Sequence, residues 1–286
     1  MKEHFLISLL SLFAVMPVMA QQSKQTTTLP TSGHAPVNGI QMYYEIHGAG
    51  NMPLVLIHGG GSTIETSFGK LLPLLAQHYK IIAVELQAHG RTGDRNKAES
   101  FTQDADDVAE LLKYLHVAKA NILGFSNGGS TALQIAIRHP QVVNKIVAIS
   151  AVTKRGGLID GFFKGFEGAK LASMPKPLQD SYLKLNKGNK KGLQNMFNRD
   201  VERMKTFHDW PDGDLKHIKA PTLLISSDQD VIKPEHTFEL ARLIPHAHAM
   251  ILPGVHGAFF GEICAPHPDE KMIEATSLIL QSFLGK

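Results

Sequence analysis

The run from Asn121 to Phe125 reads as a strand and passes through Gly124-Phe125-Ser126-Asn127-Gly128 into a helical pattern, Ser130 to Ile137, that Pro140 ends. Few local patterns constrain a chain more. A serine between a strand and a helix sits on a sharp turn, and glycines are needed on both sides where a Cβ would meet the folded-back backbone. The turn lifts the Ser126 hydroxyl off the sheet edge and sets it beside a helix N-terminus, whose free N–H groups favour an anion forming above it. Small polar residues also make plain turns, so Gly-x-Ser-x-Gly acquires meaning only from its surroundings.

Upstream, the apolar strand Leu54-Val55-Leu56-Ile57 runs into His58-Gly59-Gly60-Gly61. A Gly-rich turn leaves backbone N–H groups bare, and acyl transfer to a serine needs such donors for the tetrahedral oxyanion. Gly60 N–H, with Asn127 N–H from the residue after the serine, is the candidate oxyanion hole. A dinucleotide loop would require a third glycine where Ile64 stands, so that alternative fails. Downstream, a strand from Ala220 to Ser227 ends in Asp228-Gln229-Asp230, and a further strand, Ala249 to Leu252, runs into Pro253-Gly254-Val255-His256-Gly257. A serine nucleophile needs a base to take its proton and an acid to orient that base. Ser126, an acid from the Asp228/Asp230 pair and His256 supply that set, each on a loop after a strand.

The serine, acid, histidine order and these strand contexts resemble the α/β-hydrolase superfamily, specifically its capped branch of esterases, lactonases and carbon–carbon bond hydrolases. The resemblance covers nearly the whole chain beyond the N-terminal segment. The family's frequent Asp-x-Arg-Gly-His-Gly-x-Ser appears here as Glu85-Leu86-Gln87-Ala88-His89-Gly90-Arg91-Thr92, Ser62 stands where a proline often follows the His-Gly turn, and Val255-His256 replaces Gly-His. In this branch the acid strand commonly ends Gly-Asp-x-Asp with the second Asp catalytic. Ser227-Asp228-Gln229-Asp230 matches with Ser227 for the glycine, so the resemblance implies Asp230 as the partner of His256 and Asp228 as a loop-bracing carboxylate. The alternative acid position of some relatives, after the strand Lys145 to Ser150, offers no acid before Asp160.

Along the chain, Lys2-Glu3-His4 precedes an apolar segment from Phe5 to Met19 ending Val18-Met19-Ala20, the pattern of a secretory signal peptide and too short for a membrane span. Export to the periplasm or the extracellular space, with cleavage after Ala20, is the expectation, and no stable membrane insertion of the remaining chain. Residues 21–36, rich in Gln, Ser, Thr and Pro, read as a flexible leader. Asn38-Gly39 separates two extended stretches as a hairpin turn would. Phe68, Leu71, Leu72 and Leu75 predict a helix over residues 66–78, and Ser100 caps another with Gln103 three residues on. Strands and helices alternate, which yields a mostly parallel, doubly wound α/β sheet over residues 37–151 and 221–286. Residues 152–220 hold no strand pattern and are expected to form a helical cap inserted after the sixth strand. Leu158, Phe162 and Phe166 suggest its first helix, a second follows Pro177, and a third runs from Leu193 to Phe207.

The cap concentrates Phe162, Phe163, Phe166, Met174, Phe197, Met204, Phe207 and Trp210, and Phe163 and Trp210 are the expected substrate-binding pair in an apolar roof over Ser126. A net charge of +3 with no long basic run argues against nucleic acid. The single cysteine, Cys264, cannot form an internal disulfide. His246-Ala247-His248 lacks any metal-ligand spacing, so no metal is expected, and no cofactor is required. His58 and His89 are expected to brace turns. The expected activity is hydrolysis of a carboxylic ester or lactone with an apolar portion, a small-molecule substrate. Carbon–carbon bond hydrolysis, aminopeptidase activity on the same fold, and ligand binding with a vestigial triad remain open alternatives.

Overall fold

Asn38 and Gly39 close a hairpin between strands β1 (Thr31–Val37) and β2 (Ile40–His47), with Val37 opposite Ile40. Their φ values, 42° and 87°, are the paired left-handed angles that a two-residue turn between twisted strands requires. The computed structural model describes residues 30–285. The expected signal peptide and residues 21–29 of the expected leader lie outside the described residues. Residues 31–36 of that leader are not a loose segment: all seven residues of β1 pair with β2, and Ala35 and Val37 are buried while their polar neighbours face out. The polar composition there belongs to the solvent face of an edge strand.

Six more strands follow: β3 (Leu54–Ile57), β4 (Ile81–Val84), β5 (Ala120–Phe125), β6 (Val143–Ile149), β7 (Thr222–Gln229) and β8 (Ala247–Val255). The sheet order is β1-β2-β4-β3-β5-β6-β7-β8, antiparallel at β1, β2 and β4 and parallel from β4 to β8. Strands β3, β4 and β5 are buried at every residue, which is why they read as continuous apolar runs without alternation.

Helices cover both faces. On one face α3 (Phe101–Tyr114), α4 (Asn127–Arg138) and α8 (Pro234–Leu243) pack Val108, Leu112, Leu133 and Leu240 against Val55, Ile57 and Ile122. On the other, α1 (Ile64–Phe68), α2 (Leu71–Leu75) and α9 (Glu270–Leu284) pack Phe68, Leu71, Leu75 and Leu280 against Leu54, Leu56 and Leu123. The single helix expected over residues 66–78 is therefore two short ones. Its ladder breaks at Gly69, because Pro73 has no N–H to give to the Gly69 carbonyl four residues back. Ser100 accepts from Gln103 N–H at the start of α3, as its spacing predicts.

The cap leaves the sheet after β6, the sixth strand of the chain, and holds α5 (Lys176–Leu185), α6 (Lys190–Lys205) and α7 (Asp212–Lys216). No helix forms on Leu158, Phe162 and Phe166; residues there make only 3-10 turns, at Arg155–Gly157, Phe163–Phe166 and Leu171–Ser173. Left-handed backbone at Gly161 (φ 82°) and Gly168 (φ 72°) cuts the segment into pieces too short for an α-helix. Trp210 N–H donates to Thr153 O (2.8 Å) and closes the two ends of the cap on each other, and Ile159 N–H donates to Val231 O (2.9 Å) and ties it to the core.

Candidate active site

Ser126 stands between β5 and α4 with φ 56° and ψ −119°, a conformation that costs a non-glycine residue about 1–2 kcal/mol. Close packing imposes it. A Cβ on Gly124 would lie 1.9 Å from Gly128 O, and one on Gly128 would lie 2.2 Å from Ile57 O, so the turn crosses β3 at a separation only glycines permit. Ser126 N–H donates to Ile149 O at 2.8 Å and fixes the turn to β6. Among the described residues its hydroxyl makes no hydrogen bond, to His256 or to any other group, and is left available at the start of α4.

Asp230 follows the end of β7 and is buried; its Oδ1 accepts from His256 Nδ1 at 2.6 Å. The Ser150 hydroxyl donates to its Oδ2 (2.6 Å), and Ser227 N–H and Ile232 N–H donate to Oδ2 and Oδ1 (both 3.2 Å). Burial alone would raise this carboxyl, but His256 and then Ser150 hold it below the ordinary Asp value, so it stays a carboxylate. The Ser227 hydroxyl donates to Val255 O at 2.8 Å, tying the end of β7 to the residue before His256. The imidazole of His256 packs on Phe125, the residue before Ser126, with ring centroids 4.6 Å apart. Asp228 is exposed and accepts from Gly254 N–H at 2.8 Å.

His58 Nδ1–H donates to Gly59 O (2.7 Å) and its Nε2 accepts from Leu86 N–H (3.0 Å), so the ring locks the turn after β3. Burial, with help from the charge of His89, pushes it down to about 3 and keeps it neutral. In the same turn Gly59 N–H donates to Ser67 Oγ and Gly61 N–H to Asp200 Oδ2. Gly60 N–H and Asn127 N–H donate to no acceptor among the described residues, and both residues line one cavity with Ser126. A Cβ on Gly60 would lie 2.6 Å from Asn127 Nδ2, so a larger residue there would displace the Asn127 side chain.

That cavity, about 430 Å³, opens between Ser126 and the cap and is walled by Phe162, Phe166, Phe197, Met174, Met204 and Leu178. Phe163 and Trp210 do not reach it, contrary to the sequence expectation. Phe163 stacks on Phe207 (5.8 Å) under the Arg155 guanidinium, and Trp210 meets the edge of Phe101 (5.9 Å) at the far side of the cap. The 3-10 turn at Phe163–Phe166 leaves Phe162 and Phe166 lining the cavity, while Phe163 packs into the neighbouring cluster around Phe207. Among the described residues, no group of three or more His, Cys, Asp or Glu is placed to hold a metal ion.

Sequence reasoning missed Asp200. This carboxylate of α6 lines the cavity and pairs with His89 Nε2 at 2.9 Å. Three residues on, Arg203 is buried between Glu99 (2.7 Å) and Asp104 (2.9 Å) of the core. The available signal was periodic: Leu193, Met196, Arg203 and Met204 form the buried face of α6, so charges among them needed partners.

These buried groups set a pH dependence for stability. Burial opposes the charge on His89, but Asp200 and Glu99 raise it to about 9, so its contribution is fully present below pH 6.5 and lost as pH rises through 9. At full extent this is on the order of 3 kcal/mol. Glu85, pushed up to about 7 by burial, keeps a proton that the unfolded chain releases above 4.5, so stability also falls between those values. Burial would raise Asp200 as well, yet His89 holds it at about 2, and its contribution is lost only as pH falls from 3.8 through that value. Calorimetry is expected to find the melting temperature falling by roughly 5–10 °C between pH 6.5 and 9. A flat profile from pH 6 to 9 would contradict the charged His89.

Residues 52–173 match the family model described as alpha/beta hydrolase fold. The Homo sapiens protein named serine hydrolase BPHL is 28% identical over 228 residues, 72% of this chain and 73% of that protein. Among solved structures, a serine hydrolase involved in carbazole degradation aligns with a TM-score of 0.72 at 22% identity, over 90% of this chain and 99% of the other. An enol-lactonase from Burkholderia xenovorans aligns with a TM-score of 0.69 at 19% identity, over 88% of this chain and all (100%) of that one.

Proposed function

We propose that this chain, which carries the alpha/beta-hydrolase fold, is a serine hydrolase cleaving a carboxylic ester or lactone with an apolar portion through an acyl-enzyme. The observation that carries the reading is the strained Ser126, its hydroxyl unbonded, facing an apolar cavity beside the two free N–H groups of Gly60 and Asn127. In this mechanism His256 Nε2 takes the Ser126 proton as Oγ attacks the carbonyl carbon, and Gly60 N–H and Asn127 N–H receive the oxyanion. Asp230 holds Nδ1–H at 2.6 Å, fixing the tautomer that leaves Nε2 as the base and stabilising the imidazolium. Collapse of the intermediate expels the alcohol with a proton from His256, and water activated by the same ring releases the acid. The serine and the histidine come into hydrogen-bond contact when substrate binds, as happens in many enzymes whose free form holds the pair apart.

The cavity offers no partner for a free acid: no Lys, Arg or His is among the residues lining it, and its one charged lining residue, Asp200, is a carboxylate already paired with His89. That supports ester or lactone hydrolysis over carbon–carbon cleavage of an acid substrate. The test is a panel of acyl esters and lactones of graded size, with a serine-directed phosphonate as the active-site check. Turnover confined to substrates that lack an ester or lactone would overturn the reading. We also propose that the chain is exported, supported by the N-terminal apolar segment and its small-residue ending.

The cavity walls are expected to set acyl-length preference. Phe162→Ala and Phe197→Ala should change relative rates across chain length, with a slope of up to about 0.8 kcal/mol per methylene contacted, while sparing the smallest ester. Phe163→Ala and Trp210→Ala, outside the cavity, should leave that slope unchanged. Equal slopes in all four variants would mean that the acyl chain lies elsewhere.

A further inference from the structure

The carboxylate of Asp200 reaches both sides of the oxyanion hole from the cap. Its Oδ2 accepts from Gly61 N–H at 2.6 Å, and its Oδ1 lies 3.4 Å from the Nδ2 donor of Asn127. One side is the glycine turn after β3, and the other is the residue after the nucleophile. We propose that Asp200 is a positioning residue that holds the two donors of the oxyanion hole in register, so that the hole takes its working shape only when α6 of the cap is docked. The proposal rests on the serine-hydrolase reading above.

Three consecutive glycines are the most pliable backbone a chain can offer, and a donor array is useful only if its direction is fixed before reaction. Gly59 N–H is held by Ser67 Oγ and Gly61 N–H by Asp200, which leaves Gly60 N–H free between two anchored neighbours. The first anchor belongs to the core and the second to the cap. Withdrawing α6 would therefore release one end of the turn and, through Asn127, slacken the other side. An unpaired carboxylate so close to a developing oxyanion would oppose catalysis. Here the charge is met by His89, whose Nδ1–H donates to Gln87 O (2.8 Å) and whose Nε2–H donates to Asp200 Oδ2 (2.9 Å). Arg203, on the same face of α6, seats the helix against Glu99 and Asp104.

The geometry also contains a spare acceptor, which gives the proposal a distinctive signature. His89 Nε2 lies 3.1 Å from Gly61 N. With Asp200 present that nitrogen carries a proton for the carboxylate and cannot accept. With Asp200 removed, His89 loses the charge that holds its proton, and once neutral it can take the Gly61 N–H bond itself. The other groups facing this pair are Glu99 and Asp104, both paired with Arg203, and the neutral ring of His58, 5.0 Å from His89.

The test measures kcat and KM on the smallest ester from pH 6 to 8.5, with melting curves, for the full chain and for Asp200→Ala, Asp200→Asn and Ser126→Ala. Asp200→Ala is expected to lose about 30- to 100-fold in kcat at pH 6 with KM within about threefold, a shortfall of the size of one weakened oxyanion donor. Its rate relative to wild type should recover as pH rises through the ordinary imidazole range near 6.5. Asp200→Asn keeps an acceptor for Gly61 and should regain most of the loss. If alanine does not fold, Asp200→Ser, too short to span both donors, takes its place with the same expectations. A kcat within threefold of wild type, or a deficit equal at every pH and equal in the alanine and asparagine variants, would reduce Asp200 to a cap latch. An inactive Ser126→Ala beside a normal Asp200→Ala overturns this inference alone, whereas an active Ser126→Ala overturns the hydrolase reading and this inference with it.

Discussion

Replacing Ser126 by alanine is expected to lower kcat/KM by about four to six powers of ten and to leave the melting temperature within about 2 °C of wild type. The activity loss follows from the chemistry, since Ser126 is the hydroxyl that shares the cavity with Gly60 and Asn127 from the start of α4, while Ser173, the other serine lining it, belongs to the cap and donates to Lys170 O. The small effect on stability follows from the structure. The Ser126 hydroxyl has no hydrogen bond to lose, and alanine keeps both the Cβ and the same left-handed backbone. Ser126→Gly separates the two effects further: it should be as inactive, yet gain on the order of 1 kcal/mol, because glycine adopts φ 56° without the Cβ clash. Stability gained as activity is lost would mark the strain as serving the site. A folded Ser126→Ala chain with wild-type turnover would remove the serine from the mechanism.

The parts of this architecture written in local chemistry were legible in the sequence. Asn38-Gly39 can close a two-residue hairpin whatever surrounds it, Ser100 caps α3 through a bond three residues long, and glycines flank Ser126 because the turn permits nothing larger. What was not legible depends on partners far away in the chain. Phe163 and Trp210 were expected to face the substrate because they are aromatic and lie in the cap. Their actual partners, Phe207 and Phe101, are fixed by how a glycine-broken segment folds back, which spacing does not encode. Asp200 reads in isolation as an ordinary exposed acid on a charged helix. Its position beside the Gly59-Gly60-Gly61 turn is a contact across 139 residues.

The choice between Asp228 and Asp230 shows the same division and leads to a second large effect. Two residues apart on a regular strand, their side chains would point the same way. β7 ends at Gln229, so Asp228 lies in the strand while Asp230 lies on the turn beyond it, where the strand's alternation no longer applies. Asp228 is left exposed on Gly254 N–H, while Asp230 enters a buried site with donors from Ser150, Ser227, Ile232 and His256. Asp230→Asn is expected to lower kcat by about ten-thousand-fold, because an amide at this position can donate to Nδ1 and so favour the tautomer whose Nε2 carries the proton and cannot act as a base. Nearby Glu262 offers no rescue: burial raises its carboxyl above the ordinary Glu value, and its Oε2 is taken by Cys264 N–H at 2.7 Å. Asp228→Asn keeps an oxygen for Gly254 N–H and should cost less than about tenfold. The comparison is made on purified variants at equal folded fraction, with kcat followed against pH. A larger loss in Asp228→Asn would reverse the assignment, and a loss in Asp230→Asn that appears in KM alone would mean that Asp230 holds the loop without orienting His256.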